Sequence, residues 1–351
     1  MNPTNMDQNP APAPAAPKRP PRILSGVQPS GKLHLGNYFG AVKRHIEMQT
    51  QGQCFFFIAN YHAMTTVAEA AKEMKRKAGD VLREYTRDVA LDYLALGLDP
   101  EKAVFFRQSD VPEVTELAWV LATVTNMGLL ERAHSYKDKT DKGITPSVGL
   151  FTYPILMAAD ILIYRSNLVP VGKDQVQHLE MTCDMAVKFN LAYGKVFPEP
   201  QAFIPEHEHQ AKVPGVDGQK MSKSYGNTIE IFAEGKPLEK TVMSIKTDST
   251  PKGQPLNPEA DTVFALYRLF ANADEQESLA AEYRAGAVGY GDAKKKLLAK
   301  IDEHFAPFRD KRKQLAADPA TVEDVLRAGA AKARAEAQKT MDMVRKATGL
   351  A

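Results

Sequence analysis

Short apolar runs alternate with stretches of helical periodicity through the first half of the chain, and that rhythm restricts the fold more than any single residue. Ile23-Leu24, Cys54-Phe55-Phe56-Phe57-Ile58, Ala103-Val104-Phe105-Phe106 and Leu168-Val169-Pro170-Val171 read as short buried strands. Between them, Met74, Val81, Tyr85, Val89 and Leu96 fall near one face of a long amphipathic helix closed by Gly97 and Pro100. Further helices are expected from Val114 to about Met127, from about Ser147, and from about Gln175 to Asn190. Such repeated alternation predicts an α/β chain with a doubly wound parallel sheet, which binds ligands at the carboxyl ends of its strands.

Beyond Tyr225 the strand signal stops. Thr262 to Phe270, Glu275 to Tyr283 and Asp292 to Phe308 are helical in period, and Asp318-Pro319 is an N-cap and first-turn pair for a last helix running to Gly349. The expected organisation is a Rossmann-like domain over residues 22–235 and an all-α helical domain over residues 236–351. Residues 1–21 are rich in Pro, Ala and Asn, lack the apolar core of a signal peptide and read as a disordered tail. With 351 residues, 44% of them hydrophobic, the chain can bury a large core. Its formal net charge is only +2, so any nucleic-acid site must come from local basic patches. Lys294-Lys295-Lys296 and Arg309 with Lys311-Arg312-Lys313 are the candidates, each equally readable as a solvated helix face. Cys54 and Cys183 make neither a metal set nor a disulfide framework, which fits a reducing cytoplasm. No apolar stretch is long and clean enough to span a bilayer.

Three segments carry chemistry. Lys220-Met221-Ser222-Lys223-Ser224, ahead of Tyr225-Gly226-Asn227, is a short polar loop. Its two ammonium groups suit a polyphosphate and the charge that builds on a leaving pyrophosphate, and its serines add donors. Such a loop is expected to sit open in the free protein and to close over nucleotide; the bland alternative is an exposed basic loop. Near the N-terminus, Ser25 to Tyr38 follows the first strand with a Gly/Pro/Ser turn and a helix opening on glycine. Small residues there let backbone approach a phosphate, and helix N-terminal N–H groups point at it. Gly26 to Gly31-Lys32 almost spells a P-loop, but Leu33 stands where a magnesium-ligating hydroxyl is required.

The third segment, Gly149 to Tyr164, is an apolar helix carrying one acid, Asp160. A bare carboxylate there costs roughly several kcal/mol unless a partner compensates it. That partner is either an arginine or backbone group of the fold, or a ligand. Helical spacing puts Tyr153, Met157 and Asp160 on one face, which offers an aromatic wall, a soft filler and one acceptor. An apolar ligand with a single N–H donor, such as an indole, fits that description.

The lysine loop is identical to the KMSKS motif of class I aminoacyl-tRNA synthetases, and His34-Leu35-Gly36-Asn37 resembles their HIGH motif. The Gln28-Pro29-Ser30-Gly31 lead-in and the final Asn37 look like the tryptophanyl version; tyrosyl relatives usually carry Glu before that Pro and end in His. Thr152-Tyr153-Pro154 through Ile161-Leu162 resembles the tryptophan-pocket helix of the bacterial tryptophanyl-tRNA synthetases. Their Gly-x-Asp-Gln-x-x-His-x-Glu pattern is matched at Gly172, Asp174, Gln175, His178 and Glu180. The likeness covers nearly the whole chain after the tail.

That resemblance implies activation of L-tryptophan by ATP, taken with Mg2+ as the substrate complex, and transfer to tRNA(Trp). It places His34 and Asn37 at the α/β phosphates and adenosine, has Gly36 admit the base, and sets Lys220 and Lys223 on the departing pyrophosphate. Lys139 resembles part of a phosphate-contacting loop and is nearly as readable as a plain polar loop. Further ATP contacts are implied at Gln28, Pro29, Ser30, Lys173, Val213, Met221, Ser222 and Ser224, with the ribose on Asp174 and the Gly172 backbone. The tryptophan site is implied at Asp160 (indole N–H), Tyr153, Met157, Gln28, Val169 and Val171. Gln175 would take the ammonium or the carboxylate of the amino acid, and His62 is either a substrate contact or a core histidine. Lys173 and Asn60 depart from the Glu and Asp of relatives, and Glu206-His207-Glu208-His209 reads as solvated loop, so no protein-bound metal is expected. A cytoplasmic homodimer, with tRNA bridging subunits and the helical domain reading the anticodon, is the implied assembly. The rivals are a tyrosyl enzyme and a paralogue that binds RNA without catalysis.

Overall fold

In a computed structural model, residues 20–133, 136–137, 145–172, 175–203 and 213–351 are described. Lys139, Lys173, Asp174, the 206–209 run and nearly all of the expected tail lie outside them. Five strands form one parallel sheet in the order β3-β2-β1-β4-β5: β1 (Arg22–Val27), β2 (Gln53–Ile58), β3 (Ala103–Arg107), β4 (Leu168–Pro170) and β5 (Gln201–Phe203). The chain winds outward from β1 to β3 and then crosses back to β4. A crevice therefore opens between the carboxyl ends of β1 and β4, the switch point where α/β sheets hold ligands.

Both faces of the sheet are covered, which explains why the strands read as unbroken apolar runs rather than as alternations. Leu24, Phe55, Phe57 and Phe106 face one cluster, packed under α6 (Glu113–Val124), α8 (Val148–Ile163) and α9 (Val176–Tyr193). Ile23, Phe56, Ile58 and Phe105 face the other, shared with α5 (Ala78–Ala95), α11 (Thr262–Tyr267) and α13 (Tyr290–Ala317). This second cluster runs without a break across residue 235. The remaining labelled helices are α1 (Leu35–Asn37), α2 (Lys43–Met48), α3 (Asn60–Ala63), α4 (Val67–Glu73), α7 (Met127–Leu130), α10 (Gly235–Met243), α12 (Ala273–Arg284) and α14 (Pro319–Thr348).

Several expected boundaries move, each for a local reason. β1 continues through Ser25, Gly26 and Val27, where a turn was expected, because these residues pair with Phe56, Phe57 and Ile58. A Cβ on Gly26 would stand 2.5 Å from the Phe57 ring, so glycine serves close packing here rather than a bend. The long helix expected through Met74 breaks at Lys75, whose φ of 53° cannot continue a right-handed helix, and Met74 is exposed. β5 has no apolar alternation, and all its residues are exposed, which is why periodicity missed it.

α14 is capped by Asp318, whose carboxylate accepts the Thr321 N–H, and ends at Gly349 in the left-handed region. It lies across β3, where Gly329 meets the Phe105 carbonyl so closely that a Cβ would be 1.8 Å from the oxygen. Ion pairs tie the helical half to the sheet half: Arg312 to Asp88 and Asp92, Arg334 to Glu113, and Arg345 to Glu116. These pairs revise the reading of the basic patches. Arg309 is buried on Asp302, Lys313 reaches Glu234, Lys294 donates to the Met243 carbonyl and Lys296 holds Glu282. Lys294, Arg309 and Arg312 are thereby held within the fold, while Lys295, Lys296, Lys311 and Lys313 stay exposed.

Candidate active site at the sheet switch point

A cavity of about 430 Å³ fills the crevice and is lined by the ends of β1 and β4 and by one face of α8. Gln28, His62, Tyr153, Met157, Asp160, Val169, Val171, Gly172 and Gln175, nine residues named from sequence, meet there. Size and lining suit one planar apolar group with a few polar anchors. Gln28 reaches Thr66 at 3.1 Å, and the Tyr153 hydroxyl is hydrogen-bonded to His178, which in turn contacts the Gln175 side-chain oxygen at 3.1 Å.

Asp160 is only 2% exposed, yet three hydrogen bonds aim at its carboxylate. His62 Nε2 lies 2.9 Å from one oxygen, and Gln108 Nε2 donates to both, at 3.0 and 2.9 Å. Burial pushes the Asp160 carboxyl above its ordinary range, and the His62 and Gln108 contacts oppose that shift. The partners in the fold are thus neither an arginine nor a backbone group but two side chains, and the carboxylate also lines the cavity. Gln108 escaped the sequence reading. Its signal was position, directly after Phe106-Arg107 at the carboxyl end of a strand.

Asn60, the departure from the family acid, exchanges two hydrogen bonds with Ser109 and fastens the loops after β2 and β3. Beneath the cavity, His45 bridges the Ser25 hydroxyl at 2.8 Å and the Tyr93 hydroxyl at 3.0 Å. Burial lowers its pKa to about 4, so it is a neutral strut.

The phosphate end is built from two segments joined edge to edge. Leu35 N–H donates to the Ile229 carbonyl at 3.0 Å and Ile231 N–H to the Leu33 carbonyl at 3.1 Å. His34 caps α1: its Nδ1 accepts the Asn37 N–H, and Asn37 Oδ1 accepts the His34 N–H. Burial, with Lys223 nearby, lowers the His34 pKa to about 4. A neutral imidazole whose Nδ1 accepts carries its proton on Nε2, which leaves one N–H donor for a ligand.

The lysine loop is docked rather than open. Met221 is buried, its sulfur accepts the Gly36 N–H at 3.4 Å, and its own N–H donates to the carbonyl of the buried Val213. Asn227 ties the loop at its base through Asp217, the Lys220 carbonyl and the Ser222 N–H. Lys223 Nζ rests on the Ser30 carbonyl at 3.1 Å and on its hydroxyl at 3.2 Å, and the Ser222 and Ser224 hydroxyls pair at 2.8 Å. Desolvation lowers the Lys223 pKa to about 8 against the pull of Asp92 and Glu230. Lys220 stays exposed, and Pro29 is buried under the turn.

Among the described residues no group of three His, Cys, Asp or Glu could hold a metal ion, and no helix is long and apolar enough to cross a membrane. A larger cavity of about 730 Å³ between α5 and the α13–α14 junction holds none of the residues assigned above to nucleotide or amino acid. Its Arg107 and Arg312 are already paired with acids.

A parallel sheet with a switch-point pocket, a capped histidine turn and a lysine loop locked to it define a class I aminoacyl-tRNA synthetase. Residues 16–306 match the family described as tRNA synthetases class I (W and Y). Tryptophan–tRNA ligase of Rhodopirellula baltica is 52% identical over 94% of this chain and 99% of its own length. The Fusobacterium nucleatum enzyme is 51% identical, covering 94% and 98% respectively. The crystal structure of Campylobacter jejuni tryptophanyl-tRNA synthetase with ADP and tryptophan is 46% identical, with a TM-score of 0.86 over 93% of this chain and 99% of that one. The chain belongs to that family, in its bacterial tryptophanyl branch.

Proposed function

We propose that the chain is a tryptophan–tRNA ligase whose active site is the switch-point cavity and the two loops at its mouth. The observation that carries this reading is Asp160, a buried carboxylate fixed by His62 and Gln108 and facing an apolar cavity. In the crevice the indole N–H donates to Asp160, while Met157, Val169, Val171 and the Tyr153 ring hold the ring system. Gln175 and Gln28 take the amino acid's polar end. A site built around a buried acceptor rejects analogues that lack the donor by roughly 10⁴-fold, because its own polar group is stranded.

In the first step a carboxylate oxygen of tryptophan attacks the α-phosphorus of Mg·ATP in line. A new P–O bond forms, the bond to the bridging α–β oxygen breaks, and pyrophosphate leaves with that electron pair. The protein supplies position and charge rather than a nucleophile. His34 Nε2–H and the Asn37 side chain meet the phosphates, Gly36 admits the adenine, and the Gly172 backbone with Asp174 takes the ribose. Lys223 exchanges its contacts on Ser30 for the departing pyrophosphate and the exposed Lys220 joins it, with Ser30, Ser222, Ser224 and Lys139 as further donors. A hydroxyl of the 3′-terminal ribose of tRNA(Trp) then attacks the adenylate carbonyl, and AMP leaves. Residues 22–235 perform the chemistry and residues 236–351 take the anticodon side of the tRNA, in a cytoplasmic homodimer.

Exchange of labelled pyrophosphate into ATP, run without tRNA against a panel containing tryptophan and tyrosine, tests the reading. Exchange with tryptophan alone supports it. Exchange with tyrosine assigns the pocket to a phenol, and no exchange with either removes the activation step as written.

A further inference from the structure

Gln108 is 1% exposed and does not touch the cavity, yet it is bonded on both ends. Its Oε1 accepts the Tyr61 backbone N–H at 3.0 Å, and its Nε2 donates to both oxygens of Asp160. A backbone amide can only donate, so the Tyr61 N–H admits one orientation of the Gln108 side chain, with oxygen toward residue 61 and NH₂ toward Asp160. That NH₂ can only donate, so Asp160 must present acceptors to it. The geometry points to Gln108 as a positioning residue that sets the hydrogen-bonding polarity of the amino-acid pocket: through it, the backbone after β2 obliges Asp160 to accept and therefore selects a ring that donates.

This inference deepens the reading of Asp160 as the indole acceptor and rests on it. Two features make the role separable from plain packing. Gln108 lies in the short turn after β3, while Asp160 sits in α8 and Tyr61 in α3, so the side chain joins three elements through hydrogen bonds. His62 Nε2 holds only one Asp160 oxygen and leaves the rotation of the carboxylate about its own axis to Gln108. The consequence falls on discrimination between donor and non-donor rings, and not on nucleotide binding.

The test uses the full-length enzyme and pyrophosphate exchange, with tryptophan and with benzothienylalanine, in which sulfur replaces the indole N–H in a ring of similar shape. Gln108→Glu keeps an acceptor for Tyr61 and sets a second carboxyl against Asp160; Gln108→Leu removes both polar ends. For each variant, kcat/KM for tryptophan should fall by about ten- to a hundred-fold relative to that for benzothienylalanine, while KM for ATP stays within about two-fold. The melting temperature of Gln108→Glu, nearly isosteric with the parent, identifies a variant lost to misfolding. An unchanged tryptophan-to-analogue ratio in a folded variant overturns the inference, as does an equal fall with both amino acids and with ATP. Parent enzyme that uses both amino acids equally overturns the Asp160 reading itself, and the inference with it.

Discussion

The two ends of the active site solve opposite problems with opposite materials. At the amino-acid end, Asp160, His62, Gln108, Tyr153 and His178 sit on or beside regular elements, mostly buried, each with its partners already in place. At the phosphate end, Lys223, Ser222 and Ser224 sit on a loop whose lysine rests on the two oxygens of Ser30. Recognition of one ring among many needs an acceptor that cannot adapt, because selectivity is the cost of stranding it. Stabilising charge that exists only in the transition state needs cations free to follow it. In the proposed reading, rigidity thus belongs to the tryptophan end and adjustable charge to the ATP end.

Four measurements would break or sharpen that contrast. The largest effect is expected for Asp160→Ala, which leaves the His62 and Gln108 donors facing each other without an acceptor. Tryptophan KM should rise by about a hundred-fold or more, with ATP affinity nearly unchanged; equal losses in both titrations would mean the ends are not separate. Next, Lys223→Ala should slow activation by roughly 10²–10³-fold with tryptophan affinity within about two-fold. An unchanged single-turnover rate would remove Lys223 from the transition state.

A smaller effect follows from protonation. Lys223 is charged below about pH 8 and neutral above it, so exchange at low ATP should fall as pH rises through that value. Lys223→Arg should move the fall to higher pH, because a guanidinium keeps its proton. A profile shared by parent and variant assigns it elsewhere. Smallest is a stability effect away from the chemistry. Burial raises the Asp92 pKa to about 7 in spite of Arg312. Since the folded value lies above the unfolded one, the contribution is complete at low pH and is lost as pH rises through about 7. Asp92→Asn should therefore lose less melting temperature than the parent between about pH 4 and about pH 7, the span between the unfolded and folded values.

What could be read in advance follows the same division. Strand-length apolar runs such as Cys54–Ile58 announced the parallel sheet because both its faces are buried, and the capped helix from Ser147 announced the Asp160 pocket. The two motif loops were legible from their residue types, and they meet in the fold through Met221 on Gly36 and Lys223 on Ser30. β5 was not, since an exposed edge strand needs no apolar pattern. Gln108 was not, because an amide gains meaning only from what stands at each end of it. The arginines of α13 stayed open for a related reason: nothing in Arg309 or Arg312 tells whether its partner is a carboxylate of this chain, as Asp302, Asp88 and Asp92 are, or a phosphate of another molecule.

The crossing of α14 over β3 has a consequence for how the molecule comes into being. β3 lies at one margin of the sheet, and the residues that cover it, around Gly329, follow it far along the chain. Until they emerge, the outer edge of β3 around the Phe105 backbone lacks its cover, and the nascent chain carries an open sheet margin. Closure of that margin is thereby tied to synthesis of α14, and a product terminated before it would expose the surface on which chaperones and proteases act.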